Sequence, residues 1–408
     1  MNQLRSGWKS KAFADIVVLQ RGFDLPAAAR NTGSVPVLGS NGQVGSHDVH
    51  PGGVPVPTLT VGRSGSVGKV CFSEVGAWPL NTTLFAKDCC GNDPKYIYFW
   101  LQYFNLARYA QGVSVPTLNR NSFSEIQVLV PPLNEQQGIA SALSRCWEAA
   151  ITEQNIEEAA IKLKRAIWAR LFSRGLRGEA QKETEIGWVP ASWDVVPLGQ
   201  LGRVGNGSTP KRSIPAYWTD GTYPWLTSAK VYDREITRAD QFVTSTALAE
   251  CHLPKVKPGA LLMAITGQGK TLGHCAVLQV EATVSQHVAY VQTDLTRANP
   301  GFVRGYLETQ YDYLRQIGAG GGSTKGALTC SFLRSLPIPL PSKPEQDEVV
   351  EVLDAIDRKI ALHQQKRAVL EELFKALLHK LMTGEIDVND QDLQALSAHE
   401  PATEGSPA

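Results

Sequence analysis

The pattern of apolar and polar positions divides the chain into four stretches and a tail. Two stretches, each about 130 to 150 residues long, consist of short Val/Ile/Leu/Thr runs broken by Gly, Pro and Asn. That pattern predicts strands and tight turns with a few helices mixed in. YIYFWLQYFNLARYA (Tyr96–Ala110) and PGFVRGYLETQYDYLRQI (Pro300–Ile317) are the helical candidates within them. Each stretch leaves through a Pro-rich strand that ends at Pro132 or Pro341. About 40 residues without Pro follow in each case, rich in Ala, Glu, Lys, Leu and Gln, and these predict two long helices.

The second long helix has the clearer seam. Val349, Leu353, Ile356, Ile360, His363, Arg367, Leu370, Phe374, Leu377 and Leu381 alternate spacings of four and three, a heptad pattern with a polar interruption at His363 and Arg367. The first helix, Asn134 to about Arg174, carries Ile139, Leu143, Cys146 and Ala150, then resumes with Ile156, Ala160, Leu163 and Ile167. Forty residues at the rise of an α-helix make a rod of roughly 60 Å. Neither rod can bury its stripe alone, so each needs a partner. Their polar centres, Glu153-Gln154-Asn155 and His363-Gln364-Gln365, occupy the same position in the repeat described next. In an antiparallel pair these centres meet and form a polar layer that fixes register. The alternative is a solvated turn in each helix.

The two halves are a tandem repeat. LNRNSFSEIQVLVPPLNEQ (Leu118–Gln136) aligns without a gap on LTCSFLRSLPIPLPSKPEQ (Leu328–Gln346) at a shift of 210 positions. Trp8 to Gly22 aligns on Trp193 to Gly207 at a shift of 185, and Val61–Val70 on Thr266–Cys275 at 205. The shift grows along the chain, so the second copy carries extra loop residues, among them the GAGGGS run at Gly318–Ser323. The organisation predicted is an α+β chain of two pseudo-symmetric halves. Residues 1–131 form the first module and 132–180 the first long helix. Residues 181–341 form a linker and the second module, and 342–384 the second long helix. Residues 385–408 are an acidic tail expected to be disordered.

Composition sharpens this picture in two ways. The formal net charge of +1 argues at first against a nucleic-acid binder. By region, however, residues 1–130 hold 11 basic and 7 acidic residues, and residues 188–341 hold 14 and 10. Each module is thus +4, while the tail carries six acids and no Lys or Arg. That removes the objection to nucleic-acid binding, although +4 per module is only modestly basic. The 7 cysteines are odd in number and irregularly spaced, so they predict reduced, mostly buried thiols rather than disulfides or zinc ligands. The absence of a long apolar run and of a leader-like start predicts a cytoplasmic chain without a membrane segment.

Two modules, each followed by a long helix entered through a Pro-Glu-Gln motif, resemble the specificity subunit of Type I restriction-modification systems. The resemblance rests on VLVPPLNEQ (Val128–Gln136) and IPLPSKPEQ (Ile338–Gln346), and on LMTGEIDV (Leu381–Val388) with its weaker counterpart LFSRGLRGE (Leu171–Glu179). GWVPASWDVVPLGQL (Gly187–Leu201) and GNGSTPKR (Gly205–Arg212) add to it, and together it spans about residues 5 to 388. It implies that each module is a target recognition domain, mixed α/β in fold, that reads one half of a bipartite, asymmetric DNA site. It implies that the two helices pair as an antiparallel coiled coil that spaces the modules. It also implies two modification subunits carrying adenine methyltransferase chemistry and restriction subunits carrying the motor and nuclease, a phage-defence assembly. S-adenosylmethionine, ATP and Mg²⁺ are then expected in those partners and no cofactor in this chain.

No catalytic constellation appears. AITGQGKT (Ala264–Thr271) approaches a phosphate-binding loop, but Ala264 stands where the leading Gly belongs, and the setting is strand-turn-strand. An NTPase built on Gly267–Thr271 is the enzymatic alternative, and a protein-binding coiled-coil scaffold the structural one. No adenine-methyltransferase or zinc-hydrolase motif is present. Base edges are read by Arg, Lys, Asn, Gln, Ser and Thr, and phosphates are held by Lys, Arg and amides. Three polar loops recur in both halves and supply the candidates for contact with double-stranded DNA. In the first half they are Arg63, Ser64, Ser66 and Lys69, then Asn81, Thr82 and Thr83, then Ser114, Thr117, Asn119 and Arg120. In the second they are Gln268, Lys270 and Thr271, then Gln286 beside His287, then Ser323, Thr324 and Lys325, with Lys211 and Arg212 after GNGSTP. His287 is expected to be a hydrogen-bonded structural histidine.

Overall fold

A computed structural model describes residues 7–112, 116–267, 270–319 and 327–388. The chain forms two compact units, residues 1–156 with 363–408, and residues 157–362. Each unit combines one module with one end of both long helices, so the boundaries are not those of a module followed by its own helix. A helix stripe is buried by whatever packs on it, and here each stripe changes partner midway.

In the first unit the chain passes through β1 (Lys9–Ala12), β2 (Val18–Arg21), β3 (Val35–Gly39), β4 (Gly42–His47), β5 (Thr58–Gly62), β6 (Val70–Ser73), β7 (Trp78–Pro79), β8 (Thr83–Asp88), α1 (Pro94–Phe104) and β9 (Gln127–Val130) before α2 (Leu133–Arg174). The main sheet has the order β2-β8-β5-β6, a small sheet has β4-β3-β7, and β1 pairs with β9. Leu19, Leu59, Val61 and Leu84 from the main sheet meet Ile97, Phe99, Trp100, Leu101 and Phe104 of α1 in one core. Asp93 caps α1 by accepting the N–H of Tyr96 (2.7 Å), with Pro94 at the first helical position. The helix stops at Phe104, earlier than predicted, because Asn105 adopts a left-handed φ of 53°.

The second unit holds β10 (Gln181–Thr184), β11 (Gly187–Pro190), β12 (Asp194–Pro197), β13 (Gly202–Asn206), β14 (Tyr223–Leu226), β15 (Glu235–Ile236), β16 (Gln241–Val243), α3 (Ser245–Glu250), β17 (Leu261–Ala264), β18 (Cys275–Leu278), β19 (Thr283–Val284), β20 (Val288–Thr293), α4 (Pro300–Thr309), α5 (Tyr311–Ala319), α6 (Cys330–Ser335), β21 (Pro337–Leu340) and the first part of α7 (Lys343–Thr383). Its sheets repeat the first unit strand for strand. β13-β20-β17-β18 match β2-β8-β5-β6, β16-β14-β19 match β4-β3-β7, and β12-β21 match β1-β9. The added pieces are β15 at the sheet edge, α3 and the β10-β11 hairpin. The helix predicted over Pro300–Ile317 is two helices, α4 and α5, separated at Gln310.

The repeated Glu-Gln pair latches each long helix to its module. Gln136 is buried, its Nε2 donating to Asn92 Oδ1 (2.8 Å) and the Pro131 carbonyl (3.0 Å), while its Oε1 accepts the Asp93 N–H (2.9 Å). Gln346 does the same in the second unit. Its Nε2 donates to the carbonyls of Arg297 (3.1 Å) and Pro341 (3.0 Å), and its Oε1 accepts the Asn299 N–H (2.7 Å). Asp93 and Asn299 are the caps of α1 and α4, so one amide side chain ties the start of a long helix to the start of a module helix. The Trp8 indole donates to the Glu135 carboxylate at 3.2 Å, and Trp193 and Glu345 are buried at the matching positions.

Within each unit the helix segments run antiparallel. In the first, Cys146 Sγ meets the Leu370 carbonyl and His363 meets Glu153. The predicted seam of α7 is inward at every position, each buried or half-buried. The stripe of α2 needs correction in its second half. Ile156 and Leu163 are exposed, and the inward positions are Ala160, Lys164, Ile167, Trp168 and Leu171. A hydrophobic count passes over Lys164 because its charge is neutralised by carboxylates.

Those carboxylates mark the main chemical difference between the units. In the first, Phe374 of α7 packs its ring against Phe99 (5.8 Å) and Trp147 (5.2 Å). Shifted by 210 positions, Phe374 corresponds to Lys164 and Trp147 to Asp357. In the second unit Lys164 Nζ lies 2.7 Å from Asp357 and 3.8 Å from Glu308. Arg234 pairs with Asp357 and with Asp354 (3.4 Å), and buried Arg304 with Glu308 (3.4 Å). An aromatic seat in one unit is an ionic seat in the other.

The polar centre behaves partly as a layer. His363 is 8% exposed and its Nδ1 lies 2.5 Å from Glu153 Oε2, with Lys366 Nζ at 3.9 Å from the other carboxylate oxygen. Gln154, Asn155 and Gln364 stand on the exposed side of their helices, so the enclosed part of the layer is one Glu-His pair.

Candidate nucleic-acid interface

In the first unit the antiparallel hairpin β5-β6 presents Arg63 to Lys69, and backbone bonds join it to the other two polar loops. The amides of Arg63 (2.8 Å) and Ser64 (3.2 Å) donate to the Thr82 carbonyl, and the Leu118 amide donates to the Arg63 carbonyl (2.9 Å). Arg63 Nε also donates to the Asn81 carbonyl (3.2 Å), which fixes the stem of the side chain. Ser64 and Thr117 form an isolated bridge. The result is one cleft lined by Gln20, Arg21, Arg63, Thr117, Asn119 and Arg120. Arg21 and Arg120 are exposed. Asn119 caps the turn that carries Arg120 by accepting the Asn121 N–H at 3.1 Å.

Lys69 is exposed but tethered, its Nζ donating to the Asn41 carbonyl (2.8 Å) and side chain (3.0 Å). Ser66 and Thr82 are half-buried on the same loops, and Asn81 donates to Asp24 Oδ1. Thr83 is a correction. It is fully buried and its hydroxyl donates to the Leu80 carbonyl (2.8 Å), so it shapes the loop and cannot reach a ligand. Ser114, Gln268, Ser323, Thr324 and Lys325 lie outside the described residues, as does the tail beyond residue 388. Arg21 and Gln20 are additions. They end a strand just before Gly22, outside the three recurring polar loops.

In the second unit the hairpin between β17 and β18 carries Lys270 and Thr271. Lys270 is exposed, and its carbonyl accepts from the Tyr311 hydroxyl (2.5 Å). Thr271 Oγ1 is 3.1 Å from the Tyr232 hydroxyl that donates to it. His274 lies between the rings of Tyr232 (4.6 Å) and Tyr311 (4.7 Å). Burial lowers its affinity for a proton below the ordinary imidazole range, so it adds no charge beside Lys270 at neutral pH. Gln286 and His287 are exposed next to this hairpin, and His287 Nδ1 is 2.5 Å from Thr266 Oγ1. Lys211 and Arg212 are exposed on the loop after Gly207, where the Ser208 amide donates to the Val284 carbonyl (3.2 Å). The bonds at Val284 and His287 tie the Arg212 loop and the strand leading to the Lys270 hairpin to one short segment, Val284 to His287.

These faces present cations and hydrogen-bonding side chains. Among the described residues β17 and β18 are antiparallel and no helix starts at Thr271, where a phosphate-binding loop would run into one. Burial, aided by Asp88, pushes the Cys89 thiol up to about 11, and burial raises Cys275 further, so both stay protonated and poorly nucleophilic. Among the described residues no group of His, Cys, Asp and Glu is arranged to hold a metal. No described helix is long and apolar enough to cross a membrane.

Residues 5–160 and 190–372 match the family model described as Type I restriction modification DNA specificity domain. The chain is 32% identical over 219 residues to the Type I restriction enzyme MjaIX specificity subunit of Methanocaldococcus jannaschii, covering 50% of this chain and 48% of that one. It therefore spans about half the length of that relative. It is 25% identical over 308 residues to the putative type I restriction enzyme MjaX specificity subunit of the same organism, covering 72% and 69%. Among solved structures, the S subunit of a Type-I restriction-modification system from M. genitalium superposes with a TM-score of 0.65 at 16% identity, over 93% of this chain and 97% of that one. That likeness shows the fold.

Proposed function

The chain belongs to the Type I restriction modification DNA specificity family, and from that premise we propose that each unit reads one half of a divided, asymmetric site in double-stranded DNA. The observation that carries the reading is the repeat of one sheet topology in which equivalent hairpins present different residues, Arg63 to Lys69 in one unit and Lys270 to Thr271 in the other. Equal scaffolds place the two faces alike, and unequal side chains make the two half-sites differ. Adenine methylation and DNA cleavage belong to two modification subunits and to restriction subunits, which supply S-adenosylmethionine, ATP and Mg²⁺. The assembly acts on DNA in the cytoplasm.

Two measurements test this. Methylome sequencing of a host with and without the gene is expected to show a bipartite adenine-methylation motif that vanishes on deletion. No change in the methylome sinks the reading. Second, Arg63→Ala with Arg120→Ala, and separately Lys270→Ala, weaken binding of the chain with its modification subunits to duplex DNA and leave the fold intact. Each phosphate contact removed reduces the slope of log affinity against log salt by about 0.9. Unchanged affinity and slope in both variants removes these loops from the interface.

A further inference from the structure

The loop that leaves Gly207 is held in place to an unusual degree. A Cβ at Gly207 would lie 1.6 Å from the Val284 carbonyl oxygen, so the backbone passes where no side chain fits. Two indoles fasten the rest. Trp225 Nε1 donates to the Ser208 carbonyl and Trp218 Nε1 to the Lys211 carbonyl, both at 3.2 Å. The two rings meet edge to face, with centroids 5.1 Å apart and planes at 89°. Arg212 sits in the corner they form. Its guanidinium carbon is 3.7 Å from the Trp218 ring centre and 5.0 Å from that of Trp225.

That arrangement fixes the guanidinium plane without neutralising it. One Nη2 donor goes to Gln241 Oε1 at 2.5 Å, and no carboxylate pairs with Arg212 among the described residues. Arg234 and Arg304 of the same unit are bonded to carboxylates. In the first unit the loop after the equivalent Gly22 turns its arginine inward. Arg30 donates to the carbonyls of Leu25 and Val44. Arg212 thus keeps a charge and most of its five N–H donors free, on an exposed loop, in a set plane.

A phosphate also accepts the guanidinium fork, but any nearby cation can hold it, and Lys211 next to it would serve. A set plane matters for a target with two coplanar acceptors at fixed spacing, and on duplex DNA that is the N7 and O6 edge of guanine in the major groove. We propose that Arg212 is a specificity-determining residue that reads one guanine in the half-site of the second unit, with Trp218 as its positioning residue. The assignment rests on the DNA-recognition reading above. It also predicts that the first half-site lacks a guanine read from this loop position.

The test is selection from a randomised duplex DNA library by the full chain with its modification subunits. Wild type is expected to enrich a bipartite motif with a guanine in one half. Arg212→Lys keeps the charge and the loop but loses the fork, so discrimination at that one base pair falls about tenfold or more while every other position is retained. Trp218→Leu relaxes the same position while the other positions of the motif are retained, a selectivity that general loosening of the unit would not give. If Arg212→Lys leaves the motif intact, or weakens all sequences alike, Arg212 is not a base reader although the chain still recognises DNA. If wild type enriches no motif, the recognition reading fails and the assignment falls with it.

Discussion

Asp357→Ala is expected to destabilise the second unit by about 3–5 kcal/mol, the range for breaking a buried ion pair from one side. Asp357 is 17% exposed and faces both Lys164 and Arg234. Among the described residues the cluster balances Lys164, Arg234 and Arg304 against Glu308, Asp354 and Asp357. Burial, acting against the neighbouring carboxylates, already lowers the proton affinity of Lys164 and of Arg234 below their ordinary ranges. Removing one carboxylate leaves an uncompensated positive charge in a poorly solvated place. Hydrogen exchange across α4 reads the loss in the second unit. A change below about 1 kcal/mol would mean the cluster behaves like ordinary surface pairs. The double substitution Lys164→Phe with Asp357→Trp copies the aromatic seat of the first unit. It leaves two cations facing two anions and is expected to recover most of the stability, because apolar replacements of buried pairs are often neutral or better.

Gln346→Ala and Gln136→Ala are each expected to cost about 3 kcal/mol. Each side chain is nearly inaccessible, at 0% and 2% exposure, and makes three hydrogen bonds whose partners have no water to turn to. An unpaired buried donor or acceptor costs about 1–3 kcal/mol, and some relaxation reduces the sum. Gln346→Glu is the sharper variant. It keeps the acceptor for the Asn299 amide but turns an acidic oxygen toward the Arg297 and Pro341 carbonyls. Chemical denaturation should rank Glu as no better than Ala at this position. A Gln346→Glu protein as stable as wild type would mean the latch holds nothing.

The latch also explains what the sequence made legible. Long helices without Pro and a motif repeated without a gap are local signals, and the motif stands at an equivalent place in each half. Glu153 and His363 were legible for the same reason, since an antiparallel pair brings equal repeat positions together. The hairpins carrying Arg63 and Lys270 follow from Gly spacing alone. Other features depend on residues far apart in the chain. Lys164, Arg234, Arg304 and Asp357 come from four separate elements, so no window of sequence shows that Lys164 is buried and Leu163 exposed. Thr83 looked like a polar loop residue, yet it is the first residue of a strand buried at its next three positions as well. Trp218 and Trp225 carry no signal in the sequence that sets them apart, and only the fold shows that they grip a loop.

The two seats also differ in their temperature response, since apolar burial gains on warming only up to a plateau while the cost of desolvating charge keeps falling. Apolar burial, as at Phe99, Phe374 and Trp147, loses strength on cooling, whereas the desolvation penalty on charges such as Lys164, Arg234 and Asp357 shrinks on heating. One polypeptide thus carries two stability curves with different shapes. Warming favours the ionic seat relative to its aromatic counterpart, and added salt loosens the ionic seat alone. Growth temperature and the ionic strength around the protein therefore set which of the two units is the weaker one.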